Sequence, residues 1–410
     1  MRNKIVYIGK FWAGAMNAEA QLVLGNSRIL RELGYEVVLI GNDPKLGSNV
    51  DPLGTLKMLP EGFPCYNIVF RKNLKELLSG IHLKCCLEIL NSIGPETIKC
   101  IICYGSPGFA TVLFGLSKFA RRNGIGIIYN CVDIHNMNHG SFAERCVKKT
   151  DRAFHHLAIE KKMDGVIAVT PYIRQFFANK AKCPFVVIPP LKDTSAFSLS
   201  YHPDGSGVRH IVYAGVPFPI DGRKVSECAY KDRIDLFIDA LIQTENVKYR
   251  FDIYGMKKEQ YVNVVKRHKE VLEQYGDRIV FHGRIDHDAM TRVVSEAEFT
   301  VVYRVKCQMT MAGFSTKFVE SICCGTPVIA TDTSEYIHYR SKGAKLFILD
   351  PDDPARQKKT LETILSMSDQ EFLELKRACF ESRIFDYRNY ISALRDFLAE
   401  VDDYARKANR

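Results

Sequence analysis

The segment Gly313-Phe-Ser-Thr-Lys-Phe-Val-Glu320 combines groups that suit a phosphate ester. Gly313 and two hydroxyl residues, Ser315 and Thr316, open an apolar run with helical spacing, so a helix is expected over Thr316–Cys324. The first N–H groups of a helix lack partners within it and carry the positive end of its dipole, an arrangement that receives an anion. Lys317 adds a movable cation in that first turn. Glu320 lies about one turn further on, within reach of a polar group beyond the phosphate. A nucleotide sugar has this layout, a diphosphate flanked by ribose hydroxyls and a sugar. By pattern alone the same residues also make an ordinary capped helix with a surface Lys and Glu. A second candidate lies at Asp133 and His135, just past an apolar strand, Gly126–Tyr129. Ligands of parallel α/β sheets bind at the carboxyl ends of strands. Either residue could take a proton from an acceptor hydroxyl or stabilise a developing sugar cation; a loop histidine and a helix-capping aspartate are the plain alternatives. Gly105-Ser-Pro-Gly108 ends another strand and could line the same site. His155, His156 and Glu160 resemble a metal set on a helix, but no third ligand is evident, and they are expected as surface structure. Cys100 and Cys103 have CxxC spacing without a second pair. On a strand they point to opposite faces, so buried reduced thiols are expected.

These groups need strands and helices to hold them. Ile5–Ile8 reads as a buried strand, followed by a loop with Gly9 and Gly14, a helix from about Asn17 to Leu33 closed by Gly34, and a strand Glu36–Ile40. Strands at Cys100–Cys103, Gly126–Tyr129, Val166–Val169 and Val186–Ile188, with a helix Ala110–Arg122, continue the alternation. A turn-rich stretch, Ser198 to Gly207, reads as a linker. The pattern then restarts with strand His210–Tyr213 and the turn Ala214-Gly215. Helix Asp232–Leu241, strands Tyr249–Tyr254 and Ile279–Phe281, helix Asp288–Ala297 and strand Thr300–Tyr303 follow. The late helix leads to strand Val328–Ala330, and Asn389 to Arg410 reads as a terminal amphipathic helix. The expectation is α/β with two Rossmann-like domains in tandem: 1–195, a linker 196–208, 209–388, and a terminal helix 389–410. Two such domains facing each other make a cleft.

Composition sets outer limits. The chain has 410 residues, 46% hydrophobic and 25% charged, more than one core accommodates. Its 11% aromatic content argues against disorder. No apolar run approaches the roughly 20 residues of a membrane span, and the opening apolar run is shorter than a signal-peptide core. A cytoplasmic location is expected, consistent with an odd count of 13 cysteines set mostly in apolar runs. The net charge of +10 sits wholly in residues 1–195, which hold 25 basic and 15 acidic residues; residues 196–410 hold 32 of each. A basic surface favours anionic lipid or acidic substrates. No nucleic-acid module is present, so no nucleic-acid partner is expected.

The late segment resembles the signature of GT-B glycosyltransferases, in particular the retaining, family 4-like enzymes that build bacterial polysaccharides. Gly313-Phe314, Glu320 and Gly325-Thr-Pro-Val-Ile329 match that pattern, whereas the acid that opens it is replaced by Ala312. Further matches are Tyr213-Ala-Gly215, Lys231-Asp232, Phe251-Asp-Ile-Tyr-Gly255, Phe281-His-Gly-Arg284 and Arg304, together with Leu24-Gly-Asn26 through Val37.

The resemblance implies transfer of a sugar, of hexosyl type, from a nucleotide-diphosphate donor in the C-terminal domain. The acceptor would be a saccharide or lipid-linked molecule in the N-terminal domain, as in cell-surface polysaccharide synthesis. Glu320 would hold the donor ribose. Lys317, Lys231 and Arg304 would neutralise the diphosphate, with help from helix amides near Gly313, Ser315 and Thr316. Gly14 and Gly215 would let backbone approach the donor. No cofactor or metal is implied, retention of configuration is the expectation, and the terminal helix would cross back to the first domain. Ala312 cannot touch a sugar hydroxyl as the family's acid does. A nucleotide-sugar epimerase and a non-catalytic nucleotide-sugar-binding subunit are the alternatives. The basic half implies peripheral docking on the inner face of the cell membrane.

Overall fold

The computed structural model describes residues 2–15, 17–43, 45, 55–69, 80–105, 108–134, 142–201, 203, 205–221, 227 and 230–408. They form two units. One comprises Met1–Leu191, Ala312–Phe314 and Asp386–Arg410; the other comprises Lys192–Met311 and Ser315–Phe385.

The first unit is built on an eight-stranded sheet. Its strands are β1 (Lys4–Ile8), β2 (Glu36–Asn42), β3 (Thr55–Met58), β4 (Pro64–Ile68), β5 (Ile98–Tyr104), β6 (Gly126–Cys131), β7 (Gly165–Ala168) and β8 (Phe185–Val187), in the order β3-β4-β2-β1-β5-β6-β7-β8. All neighbours are parallel except β3, which runs antiparallel to β4. Central strands of a parallel sheet are covered on both faces, and Ile5, Val6, Tyr7 and Ile8 are fully buried accordingly. The first helix, Ala18–Glu32, begins where the Asn17 side chain accepts the Ala20 N–H at 2.9 Å, and the chain leaves it through Gly34 at φ +85°. The terminal helix, Ile391–Ala408, belongs to this unit. Its Phe397 and Val401 lie so close to Gly165 that a Cβ there would come within 2.5 Å of Val401.

The second unit has a six-stranded, all-parallel sheet: β9 (Arg209–Ala214), β10 (Tyr249–Tyr254), β11 (Ile279–Gly283), β12 (Phe299–Val302), β13 (Val328–Thr331) and β14 (Leu346–Leu349). The order β11-β10-β9-β12-β13-β14 is that of a doubly wound Rossmann sheet, and it reverses between β9 and β12. Right-handed crossovers then place helix Ile234–Leu241, which follows β9, and helix Thr316–Cys323, which follows β12, on opposite faces.

The expected strands and helices are present, with shifts of a residue or two. The segment 196–208, expected as a linker, groups with the second unit, as do Lys192 to Ser195. Strands β3, β4 and β14 and helices Ile81–Ile93, Pro354–Leu365 and Asp369–Glu381 were not anticipated. β3 is exposed at every position and offers no buried face to read in the sequence.

Candidate functional site

In an open parallel sheet the ligand crevice lies outside the carboxyl ends of the strands where the order reverses. In the second unit that point lies between the ends of β9 and β12. β9 ends at Ala214 and passes into Gly215, whose N–H donates to the Tyr254 carbonyl at 2.9 Å. Gly215 has φ +153°, and a Cβ on it would lie 2.4 Å from Lys317 Cε and 2.7 Å from Lys317 Nζ. Gly255, at φ +110°, has the same constraint one strand over: a Cβ there would stand 2.3 Å from the Gly215 carbonyl oxygen. Two adjacent strand ends therefore lack side chains, and the lysine from the helix Thr316–Cys323 lies against the space.

Lys317 Nζ lies 2.5 Å from Asp232 Oδ2, donates to Tyr213 Oη at 3.3 Å, and sits 4.7 Å over the Tyr213 ring. Tyr213 Oη donates to Asp232 Oδ2 at 2.8 Å, and Arg304 Nε donates to Asp232 Oδ1 at 2.7 Å. Arg304 is itself fixed by Thr331, whose Oγ1 accepts the Arg304 N–H at 2.9 Å and donates to the Arg304 carbonyl at 2.6 Å. Burial of Asp232 opposes its ionisation, but Lys317 and Arg304 outweigh that and hold its carboxyl far below the usual carboxylate range. Burial, reinforced by the Asp232 charge, pushes the Tyr213 phenol well up. Two cations thus share one carboxylate, leaving one positive charge in surplus. Asp232 is fully buried and Arg304 4% exposed, while the Lys317 side chain is 21% exposed. The surplus is presented to solvent through Lys317.

One turn along the helix, Glu320 Oε1 accepts from Lys192 Nζ at 3.0 Å. Glu320, Lys317 and Lys192 line a recess with Ala214, His287 and Met290. Ser315, the residue preceding the helix, is 3% exposed, and its Oγ has no hydrogen-bond partner among the described residues. Such an atom is costly to bury unpaired unless a ligand completes it.

Of the residues singled out in the sequence, Gly215, Arg304, Ser315, Thr316, Lys317 and Glu320 all lie at this end of the second unit. Lys231 is exposed, and it is the next residue, Asp232, whose side chain enters the cluster. Arg304 is buried against Asp232. Gly313 and Ala312 group with the first unit; Ala312 is in its core, its carbonyl accepting from Thr170 Oγ1 at 3.0 Å. Gly14 is exposed in the first unit. Asp133 is half-buried just past β6, while His135 lies outside the described residues. His155, expected at the surface, is buried instead: its Nδ1 pairs with Tyr129 Oη at 2.9 Å. Among the described residues no group of three or more His, Cys, Asp or Glu forms a metal set. Cys100 and Cys103 are both buried, and burial pushes the Cys100 thiol up to about 12. Asp232, Tyr213 and Lys192 were not read from the sequence as site residues. The signals for Asp232 were its place beside a suspected cation and the Lys231-Asp232 match to the family pattern.

Residues 223–367, which include most of this cluster, match the family described as Glycosyl transferases group 1. The chain carries a glycosyltransferase domain. No curated protein matches the chain by sequence. Solved structures with the same architecture span its length. Sucrose-phosphate synthase from Thermosynechococcus elongatus superposes with a TM-score of 0.64 at 15% identity, covering 98% of this chain and 99% of its own. A glycosyltransferase from Rickettsia africae gives 0.66 at 13%, covering 98% of each chain. Anabaena HepE in complex with UDP-glucose gives 0.60 at 14%, covering 97% and 99%. These likenesses show the fold, GT-B, around the glycosyltransferase domain.

Proposed function

We propose that this protein transfers a glycosyl group from a nucleoside diphosphate sugar, bound by the second unit, to a hydroxyl acceptor bound by the first. The observation that carries this reading is the lysine over a side-chain-free strand end: Lys317 against Gly215, at the first turn of a helix and one turn from Glu320. The diphosphate would take the surplus positive charge of Lys317 and the free amides of the helix start. Glu320 would accept hydrogen bonds from the ribose hydroxyls through the oxygen that Lys192 leaves open. The complexes of HepE with UDP and with UDP-glucose support a uridine donor.

In transfer, the bond from the sugar's anomeric carbon to the diphosphate oxygen breaks, a bond to the acceptor oxygen forms, and the acceptor's hydroxyl proton passes to Asp133, to His135 or to an oxygen of the departing diphosphate. Charge grows on the leaving diphosphate, so a cation already fixed beside it lowers the barrier. Lys317, held by Asp232 and Tyr213, fills that role without a metal, and EDTA should leave turnover unchanged. Asp133 and His135 are the groups assigned to the acceptor side, and retention of configuration, with a saccharide or lipid-linked acceptor, completes the proposal. No helix among the described residues is long and apolar enough to cross a membrane. The basic first unit would instead dock on the anionic cytoplasmic face of a membrane.

Calorimetry with UDP, and turnover with UDP-glucose, test the donor site. Glu320→Gln should weaken UDP binding about tenfold, the loss of one charge-assisted hydrogen bond. Lys317→Ala should weaken it at least as much and lower turnover further, because its charge matters most at the transition state. Unchanged UDP affinity in both variants refutes the assignment.

A further inference from the structure

A groove of about 750 Å³ opens at the carboxyl ends of β12, β13 and β14. Helices Ile234–Leu241 and Pro354–Leu365 contribute Leu236 and Arg356 to it, so it lies on the face opposite helix Thr316–Cys323. It is therefore distinct from the recess at Glu320. Its volume is that of a small-molecule site.

The lining has a definite chemistry. Arg304, Lys306, Arg340 and Arg356 supply cations, and Asp332, Asp350 and Asp352 supply carboxylates. Arg304 is 4% exposed, and its Nε is held by Asp232. The planar guanidiniums of Arg340 and Arg356, both exposed, suit an oxyanion. Val305 and Ile337, 44% and 48% exposed, add apolar surface.

The chain is strained where it borders the groove. Ser334 and Glu335, neither of them glycine, have φ +55° and +57°. That costs on the order of 1 kcal/mol each and persists only where the surroundings enforce it. Ser334 Oγ donates to the Thr310 carbonyl at 2.9 Å, which fixes the turn. The turn leads into helix Tyr336–Arg340, which carries Ile337 and Arg340 into the groove.

We infer that this groove is a second ligand site, for a small phosphorylated polyol such as a sugar monophosphate. A phosphate takes the arginines, and hydroxyls donate to the aspartates. A bare anion would face the carboxylates with nothing to offer them, and an uncharged sugar would leave the arginines unmatched. The inference concerns a site apart from the donor recess and does not require the donor assignment.

The test uses the full chain and calorimetry with three probes: glucose 6-phosphate, glucose and inorganic phosphate. Glucose 6-phosphate should bind saturably and more tightly than either of the others. Arg340→Ala with Arg356→Ala, both at exposed positions, should weaken it tenfold or more while leaving UDP affinity unchanged. Absence of saturable glucose 6-phosphate binding to the unmodified protein overturns the site. So does equal affinity in the double variant, or inorganic phosphate binding as tightly as glucose 6-phosphate. Loss of UDP binding in the double variant overturns the separateness of the two sites.

Discussion

Gly215 shows how much of this site depends on a missing side chain. A methyl group there would meet Lys317 Cε at 2.4 Å, and its φ of +153° is one that other residues rarely adopt. The neighbour that must yield is the end of a flexible lysine, so Gly215→Ala should fold, at a cost of roughly 1–2 kcal/mol in backbone strain and repacking. What changes is the lysine. Pushed from the strand end, it parts from Asp232 and no longer holds its ammonium where the diphosphate would lie. UDP affinity should fall about tenfold or more, with the far-UV spectrum intact. An unchanged affinity would mean that Lys317 does not need its present seat, and the electrostatic reading would fail with it. The sequence showed Gly215 and Lys317 as separate features a hundred residues apart. That one exists to make room for the other follows only from the fold, as does the pairing of Lys317 with Asp232. Chemistry inherent in one segment, such as the helix start at Thr316, could be read directly; chemistry made by long-range convergence could not.

At the scale of elements, the alternation of buried strands and helices was readable because parallel strands leave long apolar runs. Tyr249–Tyr254 and Ala110–Arg122 lie where the pattern puts them. Elements without a uniform face, such as β3, left no such mark. Helix Asp369–Glu381 escaped notice for another reason: it buries a lysine. Lys376 is fully buried, its Nζ donating to the Ala297 carbonyl at 2.6 Å and to Thr326 Oγ1 at 3.0 Å, with the ring of Tyr201 5.0 Å away. It ties this helix to the end of helix His287–Glu296 and to the turn before β13. Burial pushes its pKa down from 10.5 to about 8. Below that value the folded protein bears the cost of a buried charge. Between about 8 and 10.5 the unfolded chain binds more protons than the folded one, so this group's contribution to stability rises with pH. The difference, two to three pH units, corresponds to about 3 kcal/mol. Many buried cysteines and tyrosines titrate in the opposite sense at high pH, so the measurement must be a difference. Denaturant unfolding of the unmodified chain and Lys376→Met, at pH 7 and 9.5, should show the unmodified chain gaining on the variant as pH rises. Parallel pH dependences would mean that Lys376 reaches water or a counter-charge, and that its burial is not what sets its state.

For the molecule as a whole, the question is what the concentrated charge of the first unit does. Helix Phe142–Lys161 leaves Val147, Phe154 and Leu157 between 42% and 51% exposed, with Lys148 and Lys149 exposed beside them. Next to it Lys118, Arg121, Arg122 and Lys162 surround a groove of about 510 Å³ floored by Phe114, whose ring meets Phe154 edge to face at 5.8 Å. Apolar side chains ringed by lysine and arginine fit the boundary of an anionic bilayer, where the rings enter the headgroup layer and the cations meet lipid phosphates. A purely solvating surface would carry the charges without the exposed rings. With about 1 kcal/mol per cation close to the surface, four cations and two or three apolar contacts suffice for reversible binding and not for permanent anchoring. The chain should therefore sediment with vesicles containing phosphatidylglycerol at low salt and be released near 0.5 M salt, where the screening length falls to roughly 4 Å. Neutral vesicles should retain little. Arg121→Glu with Arg122→Glu should abolish retention, whereas Phe154→Ser with Leu157→Ser should weaken it while leaving its salt dependence in place, because the two pairs act through different forces. If the charge-reversed variant binds as well as the unmodified chain, the attraction does not come from this surface, and the excess charge of the first half must serve its acceptor instead.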